Sequence, residues 1–105
     1  MKISVLTTTY NRANLLPRLY NSLIQNAESG VDIEWLIMDD GSKDNTKEVV
    51  EKFIEENRIE IKYNWQKNQG KMMANNNIVG QATGDVLVDC DSDDYFVDNA
   101  FSIIK

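Results

Sequence analysis

The sequence of 105 residues contains no histidine and a single cysteine, Cys90. Without histidine the chain cannot form a His-based zinc site or a Ser-His-Asp triad. One cysteine excludes an internal disulfide. No basic residue neighbours Cys90 in sequence, so we interpret it as a buried, inert thiol. Several classes of catalytic chemistry are thereby excluded.

Clusters of basic residues and long apolar runs are also missing. The isoelectric point near 4.5 argues against nucleic acid as a partner, because binding a phosphate backbone needs clustered Lys and Arg. No run approaches the roughly 18 apolar residues of a membrane span, and the start, MKISVLTTTYNR, lacks a signal-peptide pattern. We therefore expect no membrane span and a cytoplasmic location, with any attachment to a membrane face supplied by segments outside this chain.

Aspartate, in contrast, is concentrated in residues 85–98, DVLVDCDSDDYFVD. This stretch has six aspartates and no Lys or Arg, so its formal charge is -6. The whole chain also has a formal net charge of -6, so the acidic and basic residues elsewhere balance. Two carboxylates about 4 Å apart repel each other by roughly 4 kcal/mol at an effective dielectric constant near 20. A cation would remove that repulsion, and carboxylate oxygens are the ligands that Mg²⁺, Mn²⁺ and Ca²⁺ prefer.

The apolar pattern predicts four strands alternating with helices in one domain. Strands are predicted at 2–9, 33–38, 59–65 and 86–90, and helices at about 16–26, 46–57 and 71–83. Strands joined by helices favour an α/β fold with a doubly wound, mainly parallel, Rossmann-like sheet. The expected strand order is 3-2-1-4, with the alternating third strand at an edge.

Several local features refine these elements. Asn14 is a candidate N-cap of the first helix, where Pro17 falls early and its missing N–H costs nothing. Gly30 is expected to end that helix, and Gly84 to end the third one. The fourth strand, with Val86 to Val88, is predicted to be buried.

In such sheets ligands bind outside the carboxyl ends of the strands, and polar residues occur at three of those ends. Hydroxyls, an aromatic ring and a cation follow strand one, although the same residues also suit a strand end and helix cap. Two aspartates follow strand two, as a turn or as acceptors for a nucleobase N–H or a ribose hydroxyl. A lysine after Gly70 either meets a phosphate or base or lies on the surface. These candidates are Thr8, Tyr10, Asn11, Arg12, Asp39, Asp40 and Lys71.

The third group follows strand four and is a candidate metal site. Asp89, Asp91 and Asp93 form overlapping Asp-x-Asp triplets, and this spacing can place two carboxylates on one side of an extended segment. The alternative is a solvated acidic loop. We predict that Asp91, Asp93 and Asp94 include at least one metal ligand.

Four segments in this order resemble the N-terminal half of family 2 nucleotide-sugar glycosyltransferases of the GT-A fold. They are ISVLTTTYNR, LIMDDGSKDNT, NQGKMMANN and GDVLVDCDSDD. The resemblance covers essentially the whole chain. It implies that residues 1–105 are the nucleotide-sugar-binding half of a GT-A domain, truncated at the C-terminus.

The resemblance also implies roles for the candidate residues. Thr8, Tyr10 and Asp40 would contact the base, with Asp39 and Arg12 nearby. The Asp-x-Asp signature corresponds to Asp91-Ser92-Asp93, followed by Asp94, and implies contact with ribose and a Mn²⁺ or Mg²⁺ ion bridging the diphosphate. Asp89 stands where the family is usually apolar. An arginine common in the family is replaced within Asn75 to Asn77.

The implied activity is transfer of a sugar from a nucleotide-diphosphate sugar, UDP-sugar favoured, to a hydroxyl of a glycan, lipid or protein. The catalytic base is expected beyond Lys105, so the isolated chain should bind nucleotide weakly and transfer nothing. One alternative is a metal-dependent nucleotidyltransferase, although TTTYNRAN lacks the glycine of a phosphate loop. The others are a receiver-like signalling module, whose acidic pair should follow strand one, and a sugar-nucleotide sensor without catalytic activity.

Overall fold

A computed structural model describes residues 2–67 and 78–92 of the chain. Within these residues strands and helices alternate as the apolar pattern predicts. The first helix ends where expected, because Gly30 adopts a left-handed φ of 97° just after it. The elements are β1 (Lys2–Thr9), α1 (Leu16–Glu28), β2 (Asp32–Asp39), α2 (Thr46–Glu56), β3 (Glu60–Trp65) and β4 (Val86–Asp89).

The four strands form one parallel sheet in the order β3-β2-β1-β4, which confirms the predicted topology. Thr9 of β1 is in register with Asp39 of β2, and Asp39 with Trp65 of β3, so these strands end at the same level. On the other side of β1, Leu6 is in register with Asp89 of β4. Carboxyl ends of all four strands therefore lie along one edge of the sheet.

Apolar side chains cover both faces of the sheet, as expected of a doubly wound fold. Both α1 and α2 pack on one face, where Tyr20 and Phe53 stack with ring centroids 4.0 Å apart and Trp35 of β2 lies beneath them. Ile78 packs on the opposite face, against Leu6, Leu36 and Met38. Trp35 is fully buried in the larger of these two clusters.

A buried carboxylate lies on that second face, in the part of the sheet away from the strand ends. Glu34 of β2 is fully buried, and its Oε2 accepts hydrogen bonds from Ser4 Oγ at 2.6 Å and the Thr83 N–H at 2.9 Å. Its Oε1 accepts from Thr83 Oγ1 at 3.0 Å and lies 2.7 Å from Lys62 Nζ. Burial acts to raise the pKa of Glu34, but the bonds from Lys62, Ser4 and Thr83 outweigh it and lower the pKa to about 2.

The same network fixes the segment that leads into β4. The Gly84 N–H donates to Ser4 Oγ at 2.8 Å, and the Asp85 N–H donates to the Lys2 carbonyl at 2.7 Å. A Cβ atom at Gly84 would lie 2.5 Å from Ser4 Oγ and 2.8 Å from the Ser4 backbone nitrogen. Glycine is therefore required here for close approach of two backbones.

Two predicted helix ends are wrong. Helix α1 begins at Leu16 after Leu15, whose N–H donates to the Arg12 carbonyl, and no side chain caps it; Asn14 is not the N-cap. Residues 78–79 are helical, but the chain turns at 80–81, so the third helix does not reach residue 83. Thr83 instead donates its N–H to Glu34, and a residue bonded to the sheet cannot continue the helix. Residues 68–77, which include the predicted start of this helix, lie outside the described residues.

The expectation that β4 is buried is also wrong for one of its faces. Leu87 is 48% exposed, while Val86 and Val88 on the other face pack against the core. The reason is that β4 lies at an edge of the sheet among the described residues, so its second face is covered less than that of β1 or β2. At the opposite edge Trp65 is likewise exposed, unlike Ile61 and Tyr63 of the same strand.

We predict that Gly84→Ala lowers the free energy of unfolding by about 1–3 kcal/mol, because the new methyl group must push apart β1 and the segment before β4. Gly80→Ala is the matched control, since nothing lies within 4 Å of a Cβ at that position. Its effect should stay within about 0.5 kcal/mol. Urea denaturation of both variants measures the difference, and equal stabilities would contradict the close approach.

A second prediction concerns acid. The folded-state pKa of Glu34 is about 2, below the usual value of about 4.3, so its carboxylate stabilises the fold above about pH 4. That contribution is lost as the pH falls towards 2. The difference in free energy of unfolding between wild type and Glu34→Gln should shrink by roughly 3 kcal/mol from pH 5 to pH 2.

Glu60→Gln is the control for this experiment, because the half-exposed Glu60 carboxylate contacts the same Lys2 and Lys62 ammonium groups, at 3.3 Å and 3.6 Å. Because an exposed ion pair contributes at most about 1 kcal/mol, the difference between Glu60→Gln and wild type should stay within about 1 kcal/mol at each pH. Parallel pH profiles for wild type and Glu34→Gln would show that Glu34 is not held ionised in the fold.

Candidate functional site

The loops that follow β1 and β2 are bonded directly to each other. The Asn11 N–H donates to Ser42 Oγ at 2.7 Å, and Asn11 Oδ1 accepts from the Lys43 N–H at 2.7 Å. The Ala13 N–H donates to Asp44 Oδ2 at 3.1 Å. Asn11 has a left-handed φ of 51°, a conformation that asparagine tolerates better than most residues. The two loops thus form one surface at the strand ends.

Asp39, at the end of β2, forms hydrogen bonds to other residues of the protein with both of its carboxylate oxygens. It is only 1% exposed, and its two oxygens accept from the Ser42 N–H at 2.8 Å and from the Tyr63 hydroxyl at 2.6 Å. Burial, followed by the hydrogen bond to Asp39, raises the pKa of Tyr63 above its usual range, so the phenol stays a neutral donor. Asp39 therefore joins the end of β3 to the loop after β2.

Asp40 is the next residue and is also nearly buried, at 6% exposure. Its N–H donates to the Thr9 carbonyl at 2.8 Å, which extends the pairing of β1 and β2 by one residue. Its Oδ1 accepts from Gln66 Nε2 at 2.8 Å. The Gln66 N–H in turn donates to the Asp39 carbonyl at 2.9 Å. Asp40 thus lies at the junction of the ends of β1, β2 and β3.

The remaining candidates after β1 are more accessible. Tyr10 is 43% exposed, Arg12 is exposed, and Thr8 is half-buried beside Met38 of β2. These residues surround the end of β1, where the Thr9 carbonyl accepts the hydrogen bond from the Asp40 N–H. A hydroxyl, an aromatic face and a guanidinium are therefore available near a buried carboxylate, a combination suited to a polar ligand with a flat ring.

The end of β4 lies on the other side of β1. The Cys90 N–H donates to the Leu6 carbonyl at 2.9 Å, so the pairing of β1 and β4 continues past Asp89. Cys90 is buried, as predicted. Asp91 is half-buried and Ser92 buried. The predicted ligands Asp93 and Asp94, and the predicted phosphate contact Lys71, lie outside the described residues.

The structure thus brings six of the predicted residues together at the adjacent ends of β1 and β2, and places Asp91 at the end of β4 beside β1. Within residues 2–67 and 78–92, no group of three or more Cys, Asp or Glu side chains is arranged to hold a metal ion. Sequence reasoning missed Ser42, Tyr63 and Gln66. Tyr63 and Gln66 belong to the end of the alternating third strand, whose register with β2 was the missing information.

Comparison with known proteins identifies the family. The family model described as "Glycosyl transferase family 2" matches residues 4–104. The chain belongs to glycosyltransferase family 2. An uncharacterized glycosyltransferase of Nostoc sp. is 43% identical over 94 residues, which is 90% of this chain and 29% of that protein. Family membership makes the chain part of a glycosyltransferase and confirms the resemblance carried by the four segments.

Solved glycosyltransferase structures share the fold. Residues 1–349 of Staphylococcus aureus TarS in complex with UDP-GlcNAc match with a TM-score of 0.88 and 31% identity, over 99% of this chain and 30% of that one. The mannosyltransferase PcManGT of Pyrobaculum calidifontis, solved with GDP-Man and Mn²⁺, matches with a TM-score of 0.81 and 22% identity, over 92% of this chain and 29% of that one. The sheet is that of a GT-A glycosyltransferase, and the chain spans under a third of these proteins.

Among the described residues no helix combines the length and apolar character needed to cross a membrane. The longest, α1, has 13 residues and carries polar side chains on one side.

We predict that Tyr63→Phe lowers the free energy of unfolding by about 1–3 kcal/mol, because a buried oxygen of Asp39 loses its donor. Tyr20→Phe is the matched control. Its hydroxyl donates at 2.8 Å to Glu56, an exposed residue that water can hydrate instead. The control should cost less than about 1 kcal/mol. Chemical denaturation of both variants tests this, and a larger effect at Tyr20 would be inconsistent with Asp39 being the buried partner.

Proposed function

We propose that this chain is the nucleotide-sugar-binding part of a glycosyltransferase that takes a UDP-sugar as donor. The observation that carries the proposal is the buried Asp40 carboxylate at the junction of three strand ends, beside the accessible Tyr10 and Arg12. An ionised carboxylate accepts a hydrogen bond from a base N–H, and the tyrosine ring offers a flat surface for the base. TarS, at 31% identity, was solved with UDP-GlcNAc, which favours a uridine donor.

The candidate residues divide into two groups in this proposal. Asp40, Tyr10, Thr8 and Arg12 contact the nucleoside directly. Asn11 and Asp39 act through the loops, because the side chain of Asn11 accepts from the Lys43 N–H and that of Asp39 accepts from the Ser42 N–H and the Tyr63 hydroxyl. Lys71 is assigned to a phosphate or the base. The nucleoside is therefore held by a preorganised surface, which lowers the entropy cost of binding.

The residues after β4 are assigned to ribose, diphosphate and metal. Asp91 is half-buried at the end of β4, next to β1, and is followed in sequence by Ser92, Asp93 and Asp94. These side chains offer oxygen donors, which fit Mg²⁺ or Mn²⁺. We assign Asp91 to ribose, and Asp91, Asp93 and Asp94 to the metal. When bound, the ion would neutralise charge that develops on the diphosphate leaving group. The fold also occurs with Mn²⁺ bound, in PcManGT.

The acceptor is proposed to be a hydroxyl group on a glycan, lipid or protein, and transfer requires a carboxylate base to remove its proton. We assign this base to residues beyond Lys105, because the chain spans only 29% of the length of the Nostoc glycosyltransferase. A cytoplasmic location is proposed with it. The 105 residues alone should bind nucleotide weakly and transfer no sugar.

Calorimetric titration with UDP, GDP, CDP and dTDP, with and without Mn²⁺, tests the donor site. UDP should bind best and only appreciably with Mn²⁺, and both Asp40→Asn and Asp93→Ala should weaken UDP binding about 10- to 100-fold, as expected for a charged hydrogen bond or a metal ligand. Asp32→Asn is the control, because Asp32 is an exposed acid at the opposite end of β2. Absent or metal-independent binding across the panel would refute the proposal.

A further inference from the structure

Gln66 is not among the candidates that the sequence suggests, yet its side chain donates a hydrogen bond to Asp40. We infer that Gln66 is a positioning residue that determines base selectivity by fixing the orientation of the Asp40 carboxylate. This inference rests on the proposed function, since it requires Asp40 to meet the nucleobase. It goes beyond that proposal by assigning selectivity to a residue of β3's end that does not itself have to contact the ligand.

Backbone bonds bring the two side chains together. Asp40 follows the last residue of β2, and its N–H donates to the Thr9 carbonyl of β1 at 2.8 Å. Gln66 follows the last residue of β3, and its N–H donates to the Asp39 carbonyl of β2 at 2.9 Å. Both residues therefore continue the parallel pairing by one step. Their positions are set by the sheet rather than by a flexible loop.

The contact between them is a buried hydrogen bond with a defined direction. Gln66 is 9% exposed, and its Nε2 donates to Asp40 Oδ1 at 2.8 Å. An amide nitrogen can only donate and an ionised carboxylate can only accept, so the bond cannot reverse. Rotating the carboxylate would break this bond in a region with little access to water, where an unsatisfied group costs about 1–3 kcal/mol. The bond thereby restrains the plane of the carboxylate and the direction of its lone pairs.

A fixed acceptor at this position distinguishes bases by their ring nitrogen. N3 of uracil carries a hydrogen and can donate to a carboxylate. N3 of cytosine is an acceptor, so it cannot form a hydrogen bond with the carboxylate and would be repelled by it. A site rejects a ligand strongly when that ligand would leave a buried polar group of the site without a hydrogen-bond partner. If the carboxylate could rotate freely, it would lose part of this discrimination. Gln66 therefore supports preference for a base with a ring N–H.

The experiment removes the interacting group from each side in turn. UDP and N3-methyl-UDP, which lacks the ring N–H, are titrated with Mn²⁺ into wild type and Gln66→Met, a side chain of similar length without a donor. Wild type should prefer UDP by about 10- to 100-fold. In Gln66→Met that preference should fall at least about fivefold. A role only in folding would weaken both ligands equally and leave their ratio unchanged, because the ratio isolates the coupling between Gln66 and the ring N–H.

Gln81→Met is the matched control, since Gln81 accepts from Asn64 Nδ2 at 2.9 Å and contacts neither aspartate of the site in the described structure. Its preference ratio should equal that of wild type. A measurement on wild type alone covers the case in which Gln66→Met does not fold: the side-chain amide NMR signals of Gln66 should shift on addition of UDP and shift less with N3-methyl-UDP.

The outcomes separate the two proposals. If wild type binds UDP but the ratio is the same in Gln66→Met, or the Gln66 signals respond equally to both ligands, the positioning role is overturned while the donor site stands. If wild type does not bind UDP at all, the donor site fails and the role of Gln66 fails with it. A reduced ratio in Gln66→Met together with an unchanged ratio in Gln81→Met supports both.

Discussion

A single buried carboxylate connects all four strands of the sheet. Glu34 of β2 bonds Ser4 of β1, Lys62 of β3 and Thr83 just before β4. Burying a charge is costly unless hydrogen bonds and an opposite charge compensate, so these partners stabilise the ionised carboxylate. Through Thr83 the network also fixes the segment that leads into β4. The site therefore relies on a contact in the other half of the sheet.

Acidic residues in this chain perform two different tasks. Glu34 and Asp39 are buried, have their oxygens occupied by protein donors, and hold elements together. Asp40 and Asp91 lie at strand ends and are the acids assigned to the ligand. Asp39 and Asp40 are adjacent in sequence, yet they belong to different groups because their side chains leave the end of β2 towards different partners, Tyr63 and Gln66. Identical neighbouring residues thus differ in role through their hydrogen bonds.

The sequence was informative wherever a pattern is local. Apolar periodicity predicted the strands, and the alternation of strands with helices predicted their order. Polar residues after the strands indicated a candidate site, because parallel strands end at one edge. Glu34 escaped notice because it occurs inside an apolar run, IEWLIM, that also suits a buried strand. Tyr63 and Gln66 could not be found without the register between β2 and β3, and Ser42 could not be found without the contact between the loops after β1 and β2. The Asn14 cap failed because residue 15 takes the cap position without any side-chain bond, an outcome that composition does not reveal.

The pairing of β1 with β4 has a consequence for the order of assembly. The Lys2 carbonyl and the Asp85 N–H are bonded although 83 positions separate these residues, whereas β1 and β2 pair across about 30 residues. Closing a longer loop costs more chain entropy, and distant pairings slow folding. We therefore expect β1, β2 and β3 to associate first and β4 to dock last. During synthesis or refolding, the joined loops after β1 and β2 would form before Asp91 reaches its place on the other side of β1.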